Sequence, residues 1–146
     1  MIAIGCDHGG FELKGHIIDY LKSNNTEYKD FGCFSEESVD YPDIAKLVCD
    51  SINSKECDRG ILICGTGIGI SIAANKIKGI RAAHCHDVYS AEMTKRHNDA
   101  NVICMGGRVI GRELAVRIIE AWLDAEFEDG RHKKRIDKIA ELERLV

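Results

Sequence analysis

A cysteine stands directly before a glycine-rich turn in the middle of the chain. The apolar residues 61–63 lead to Cys64, and a helical pattern begins about five residues later. The turn between them consists of Gly65, Thr66, Gly67, Ile68 and Gly69. At a junction of this kind, backbone N–H groups point at a bound anion, and they also stabilise a nearby thiolate. Cys64 is therefore a candidate general base or nucleophile, with the turn amides as donors to an oxyanion.

The spacing of the glycines differs from the patterns of nucleotide-binding loops. A dinucleotide-binding turn has a third glycine where this chain has Ile70, and a P-loop has a lysine that is absent here. The competing interpretation is a tight strand-to-helix turn that holds no ligand. Three glycines with the polar Thr66 and Ser71 favour close approach of an anion to the backbone.

A second turn of the same kind follows the first predicted strand. Asp7 and His8 precede Gly9 and Gly10 there. In a sheet of order 2-1-3-4-5, strands one and three are neighbours at the switch point, where ligands bind outside the carboxyl ends. We therefore expect Asp7 and His8 to face residues 64–69, although either one alone is equally typical of a helix cap or a surface histidine.

Basic residues provide candidate anion ligands near the end of the chain. Arg131 and Arg135 are four residues apart and so share one face of the last predicted helix. Cations in a first turn oppose the helix dipole, and two arginines can hold a phosphate through forked hydrogen bonds. Arg108, after Gly106 and Gly107, is a further candidate. The alternative is a solvated basic patch that balances the acidic residues Glu126, Glu128 and Asp129.

His97 lies at the end of the fourth predicted helix. That helix begins at the carboxyl edge of the sheet and runs back, so His97 should lie far from Cys64 of its own chain. A histidine at a helix C-terminus is also a common stabilising feature. If His97 is catalytic, the simplest geometry brings it from a second subunit to a shared site.

A metal site is not expected. His84 and His86 alternate with Cys85 along a predicted strand, which places the two histidines on one side and the cysteine on the other. The rest of the sequence has no His, Cys, Asp or Glu residues at the spacing typical of metal ligands.

Alternating strands and helices predict one α/β/α domain over residues 1–146. The predicted strands are residues 2–6, 27–31, 60–64, 80–85 and 101–105, with five or six helices between and after them. This alternation implies a parallel five-stranded sheet in the order 2-1-3-4-5 with helices on both faces. The last helix, about residues 130–145, would carry the basic clamp.

Composition excludes several classes of partner. The net charge of −4 gives no electrostatic case for nucleic acid, and no apolar run approaches the roughly 18 residues of a membrane span. The first residues have no basic region and are not typical of a signal peptide. The 7 cysteines are odd in number and lack C-x-x-C spacing, which favours reduced thiols and a cytoplasmic protein.

Five segments in order resemble the motifs of ribose-5-phosphate isomerase type B, a family that includes the galactose-6-phosphate isomerase subunits. They are residues 4–10 (IGCDHGG), 64–76 (CGTGIGISIAANK), 96–98 (RHN), 106–108 (GGR) and 131–135 (RHKKR). The resemblance covers essentially the whole chain, and the ordered set is more specific than any single motif. It implies a Rossmann-like subunit, homodimers with shared sites and often tetramers, and a step of the pentose phosphate pathway.

The resemblance also implies a role for each matching residue. Cys64 would move a proton between C1 and C2 of the sugar, and some relatives use glutamate instead. His97, with Asp7 as a partner, would assist ring opening. The enediolate would be stabilised by Asn98 and by the backbone of residues 65–69. The phosphate would be held by His8, Arg108, Arg131 and Arg135. No metal or organic cofactor is implied.

The substrate itself stays open at this point. The leading hypothesis is interconversion of D-ribose 5-phosphate and D-ribulose 5-phosphate. The alternatives are isomerisation of a six-carbon sugar phosphate, such as allose or galactose 6-phosphate, and a non-catalytic sugar-phosphate sensor. A sensor would need neither Cys64 nor His97.

Overall fold

Strands and helices alternate along the chain in a computed structural model that describes residues 1–145. The strands are β1 (Ile2–Cys6), β2 (Tyr28–Asp30), β3 (Arg59–Cys64), β4 (Ala82–His84) and β5 (Val102–Gly106). The helices are α1 (Phe11–Ser23), α2 (Tyr41–Asn53), α3 (Ile68–Ala74), α4 (Val88–Asn98), α5 (Arg112–Asp124) and α6 (Arg131–Glu143). Across residues 1–145, none of these helices has the length and apolar character needed to span a membrane.

The five strands form one parallel sheet in the order β2-β1-β3-β5-β4. The predicted fold class is confirmed, but the predicted order 2-1-3-4-5 is wrong for the last two strands. β5 is buried along its whole length, whereas β4 has three residues and is partly exposed. A parallel strand that is apolar throughout is buried by helices on both faces of the sheet and by a neighbouring strand on each side. β5 therefore takes the inner position, and β4 lies at the edge.

The core has one layer on each face of the sheet. On one face, α1 and α5 pack on the strands, with Ile17 and Trp122 fully buried. On the other face, α2 and α3 contribute Val48 and Ile70. Side chains alternate along β3, so Cys64 belongs to the layer beneath α2 and α3.

The helices also leave apolar side chains uncovered. Leu47 of α2 and Leu114 of α5 are 49% and 37% exposed, although both follow the apolar spacing of their helices. Ile68 and Ile72, one turn apart on α3, are 51% and 56% exposed. The helical periodicity of apolar residues could not distinguish these exposed positions from core positions, because exposed and buried apolar residues here follow the same spacing.

Candidate active site

The turns after β1 and β3 meet at the carboxyl ends of these neighbouring strands. Asp7 is buried, and its Oδ1 accepts a hydrogen bond from the Gly9 N–H at 2.9 Å. A methyl group added at Gly9 would lie 3.0 Å from the backbone nitrogen of Gly65, so the two turns are in direct contact. The expected approach of the Asp7 turn to the Cys64 turn is therefore observed.

The Cys64 thiol lies under the glycine turn. Its Sγ accepts a hydrogen bond from the Gly67 N–H at 3.1 Å, and the residue is 4% exposed. Gly67 has φ +81°, and an added methyl group would lie 2.7 Å from the carbonyl carbon of Met105. Only glycine fits there without strain. The turn thus aims an amide at the place where a thiolate would carry its charge.

Four of the other cysteines are unsuited to act as bases. Burial raises the pKa of Cys6 and of Cys49 to about 12 and that of Cys85 to about 11. Burial also raises the pKa of Cys104 well above its ordinary value. These thiols stay protonated at neutral pH and serve as small apolar core side chains.

Arg108 flanks the turn, and His8 lies in the neighbouring turn after β1. The Arg108 N–H donates to the Gly65 carbonyl at 3.0 Å, and a methyl group at Gly65 would lie 3.2 Å from Arg108 Nη1. His8 Nδ1 accepts a long hydrogen bond from the Val39 N–H at 3.3 Å. We call Asp7, His8, residues 64–69 and Arg108 the cysteine group. It combines a thiol, backbone donors, a histidine and an arginine at one end of the sheet.

The remaining predicted site residues lie elsewhere. His97 Nε2 is 3.7 Å from Glu128 Oε1, and the His97 ring stacks on His132 at a centroid distance of 4.2 Å. Arg131 and Arg135 are exposed at the start of α6, which packs against α4. We call His97, Asn98, Arg131 and Arg135 the histidine group. Within residues 1–145, no hydrogen bond, ion pair or ring contact joins it to the cysteine group.

Asn98 borders a groove of about 600 Å³. Its backbone carbonyl accepts from Arg81 Nε at 2.9 Å. Ile139 and Leu142 of α6 line the same groove. The groove therefore lies beside the histidine group and is separate from Cys64.

Comparison with known proteins decides the family. The family model described as Ribose/Galactose Isomerase matches residues 2–139. The chain belongs to the ribose/galactose isomerase family. A relative from Listeria innocua, named ribose-5-P isomerase B, is 51% identical over 97% of this chain and 96% of its own length. A solved structure of Clostridium thermocellum ribose-5-phosphate isomerase B has a TM-score of 0.97 and 55% identity, and the match covers 99% of this chain and 97% of that one.

A third relative in the ribose/galactose isomerase family has a different printed activity. The protein named D-erythrulose-4-phosphate isomerase from Pectobacterium atrosepticum is 49% identical over 94% of this chain and 91% of its own length. The family and this level of identity are thus compatible with sugar phosphates of different length.

Two histidines support the cysteine group in a way that the sequence did not predict. His84 Nε2 donates to the Thr66 carbonyl at 2.9 Å, and the Gly106 N–H donates to His86 Nε2 at 3.0 Å. Burial, and next the neighbouring His84, lower the pKa of His86. A neutral ring is what this acceptor role requires. The placement of both residues on one side of the strand was the only indication in the sequence.

Tyr41 and Glu128 were also missed. A methyl group added at Gly69 would lie 2.6 Å from Tyr41 Cζ, so the tyrosine ring borders the glycine turn. Glu128 faces both His97 and His132. The four-residue spacing of Glu128 and His132 could have indicated their contact, whereas the contact of Tyr41 with the turn has no local pattern.

Proposed function

We propose that this protein is an aldose–ketose isomerase that interconverts D-ribose 5-phosphate and D-ribulose 5-phosphate. The observation that carries the proposal is the Gly67 N–H aimed at Cys64 Sγ, in a turn that also contacts Gly9 of the Asp7 turn. The family membership and the printed name of the Listeria relative support the same activity. We place the enzyme in the cytoplasm and in pentose phosphate metabolism.

Proton transfers alone balance this reaction. The base removes the proton from C2 of the open-chain aldose, and the electrons move to give a cis-enediolate. A proton then moves from the C2 oxygen to the C1 oxygen, and return of a proton to C1 gives the ketose, so no electron leaves the substrate and no group is transferred. We therefore propose that neither a metal nor an organic cofactor takes part.

Each part of the cysteine group has a role in that sequence. Cys64 carries the proton, and the amides of residues 65–69 stabilise the negative oxygen of the enediolate. A positioned acid or base contributes about 10²–10⁴-fold to the rate. Loss of one oxyanion donor costs about 3–4 kcal/mol of transition-state stabilisation.

The complete site requires two copies of the chain. Ring opening by His97, contact of Asn98 with the enediolate and the arginine clamp all depend on the histidine group, which lies apart from Cys64 in one protomer. A second copy can bring its histidine group over the cysteine group of the first. The exposed Ile68 and Ile72 of α3, next to the glycine turn, are an apolar surface for this contact. The proposed assembly is a homodimer, which pairs of dimers could extend to a tetramer.

The phosphate binds between the two groups. His8 and Arg108 approach it from the cysteine group, and Arg131 and Arg135 approach it from the second copy. Arginine pairs suit this task because their forked donors match phosphate oxygens.

The number of carbon atoms in the sugar phosphate substrate is a separate part of the proposal. The relative named for erythrulose 4-phosphate favours testing shorter substrates as well as the six-carbon phosphates of allose and galactose. We propose the five-carbon substrate first, because the relative that matches 97% of this chain is named for it.

The experiment compares wild type, Cys64→Ala and Cys49→Ala with ribose 5-phosphate as substrate. The readouts are ketose absorbance and exchange of the C2 proton with D2O. Cys64→Ala should lose both by at least about 10²-fold, whereas Cys49→Ala removes a protonated core thiol and should retain both. Near-normal turnover of Cys64→Ala would remove Cys64 from the role of base. A wild-type preference for another sugar phosphate would revise the substrate.

A further inference from the structure

Glu128 lies at the centre of a small cluster that contains His97. Its Oε1 is 3.7 Å from His97 Nε2 and 3.6 Å from His132 Nε2. Its Oε2 accepts from Arg96 Nε at 2.7 Å, and its backbone N–H donates to the Arg96 carbonyl at 2.9 Å. The carboxylate is thus fixed by Arg96 on one side and presents its other oxygen to two imidazole rings.

The geometry disfavours a metal ion between these three side chains, although their ligand atoms all lie within 4.8 Å of one another. The two imidazole rings are stacked with an interplanar angle of 9°. The lone pair of an imidazole nitrogen lies in the ring plane, and two parallel stacked planes do not share a point where one ion could bind both. The cluster is therefore better suited to fix the orientation and the protonation of the two imidazole rings than to bind a metal ion.

The Glu128 side chain is ionised at neutral pH and gives this cluster a negative charge. The hydrogen bond from Arg96 is the main cause that lowers the pKa of Glu128. Burial, and next the neighbouring His97, lower the pKa of His132. At neutral pH the cluster thus contains a carboxylate, and the neutral ring of His132 covers one face of His97.

We infer that Glu128 is a positioning residue for His97, an inference that rests on the proposed function. A carboxylate beside one ring nitrogen fixes the tautomer and the orientation of a histidine. With a proton on Nε2 directed to Glu128, the lone pair of Nδ1 is free to accept the proton of the C1 hydroxyl. The C1–O4 bond then breaks, C1 becomes the aldehyde carbon, and the same proton passes to the ring oxygen O4. Stacking on His132 limits rotation of the ring. Arg96 acts indirectly, because its hydrogen bond fixes the Glu128 carboxylate.

The chemistry of the substrates separates this role from that of Cys64. Ribose 5-phosphate is mostly a closed furanose, so isomerisation in this direction needs ring opening. Ribulose 5-phosphate stays open, because its 5-hydroxyl carries the phosphate and cannot close on the C2 carbonyl. Exchange of its C1 proton with solvent needs the base and the enediolate donors, but it needs no step at the ring oxygen.

The test compares Glu128→Gln with Glu126→Gln, a change of the same kind at an exposed position two residues earlier. For Glu128→Gln, isomerisation of ribose 5-phosphate should fall about tenfold, a part of the about 10²–10⁴-fold that a positioned acid or base contributes. Exchange of the C1 proton of ribulose 5-phosphate into D2O should stay within about twofold of wild type. Glu128→Asp should recover part of the lost isomerisation, because it restores the charge.

A second readout does not depend on turnover. Nitrogen NMR shifts of His97, recorded where imidazoles are neutral, should show the Nε2–H tautomer in wild type and in Glu126→Gln, and a mixture in Glu128→Gln. A parallel fall of isomerisation and C1 exchange, isomerisation equal to that of Glu126→Gln, or unchanged nitrogen shifts would each overturn the inference. If wild type shows neither reaction, the proposed function fails, and the nitrogen shifts still decide whether Glu128 holds the ring.

Discussion

Cys64 and His97 lie at opposite ends of the strands within one chain. Cys64 ends β3 beside Gly106, the last residue of β5. His97 is in the last turn of α4, and the chain then turns directly into Val102, the first residue of β5. The four steps from Val102 to Gly106 alone span about 13 Å at about 3.3 Å per residue. We therefore propose that the two side chains act on one substrate only when they come from different protomers.

The arginines of α6 should act mainly on substrate binding. Arg135→Ala should raise KM for ribose 5-phosphate by about 10- to 100-fold, since a hydrogen bond to a charged group contributes about 1.5–3 kcal/mol. Steady-state kinetics measure this change, and kcat should change less. Arg117→Ala on α5 is the matched control, because Arg117 is exposed and lies outside both groups. An unchanged KM for Arg135→Ala would exclude Arg135 from the phosphate site.

Gly67 should tolerate no side chain. Gly67→Ala places a methyl group 2.7 Å from Met105 at φ +81°, and a residue held in that conformation costs about 1–3 kcal/mol of unfolding free energy. Activity should fall as well, since the turn must move its amide away from Cys64 Sγ.

Gly15→Ala is the control for this substitution. Gly15 lies in α1, and a methyl group there has no atom within 4 Å. Alanine within a helix should add about 0.5–1 kcal/mol to the unfolding free energy. Urea denaturation measures both variants. A Gly67→Ala protein with wild-type stability and activity would show that the turn does not depend on this conformation.

Stability should decrease as the pH falls below the usual histidine value of 6.5, partly because of His86, whose pKa is lowered in the folded protein. Between 6.5 and the lower folded pKa, the unfolded chain binds the proton and the folded chain does not, so unfolding is favoured. Above pH 6.5 both states are neutral and the full stability is present.

Thermal unfolding at several pH values tests this dependence. His86→Gln keeps a neutral acceptor for the Gly106 N–H and should reduce the loss of stability between pH 7 and 5. Equal pH dependence of the unfolding temperature in His86→Gln and wild type would exclude the His86 contribution.

The sequence predicted local features well and tertiary contacts less well. The first strand, predicted over residues 2–6, agrees with β1, and the third, predicted over residues 60–64, differs from β3 by one residue. Such features depend on a few neighbouring residues. The order of β4 and β5 depends on which strand has more apolar surface to bury. The alternation of strands and helices along the chain does not predict this order.

The site shows the same division. The contact between the Asp7 and Cys64 turns followed from the adjacency of β1 and β3, and the separation of His97 followed from the direction of α4. The support of Thr66 by His84 and the approach of Glu128 to His97 depend on how distant segments pack. No spacing rule along the chain describes these two contacts, so only the structure could place them.

Mixing two inactive variants tests whether a second copy of the chain completes the site. Cys64→Ala and His97→Ala proteins are unfolded and refolded together, so that hybrid dimers form, and isomerisation of ribose 5-phosphate is measured against each variant alone. A hybrid dimer has one site with both residues intact and one with neither, so activity should return in proportion to the hybrids formed. Mass spectrometry counts these hybrids. Hybrids that form and stay as inactive as the separate variants would show that Cys64 and His97 act from one chain.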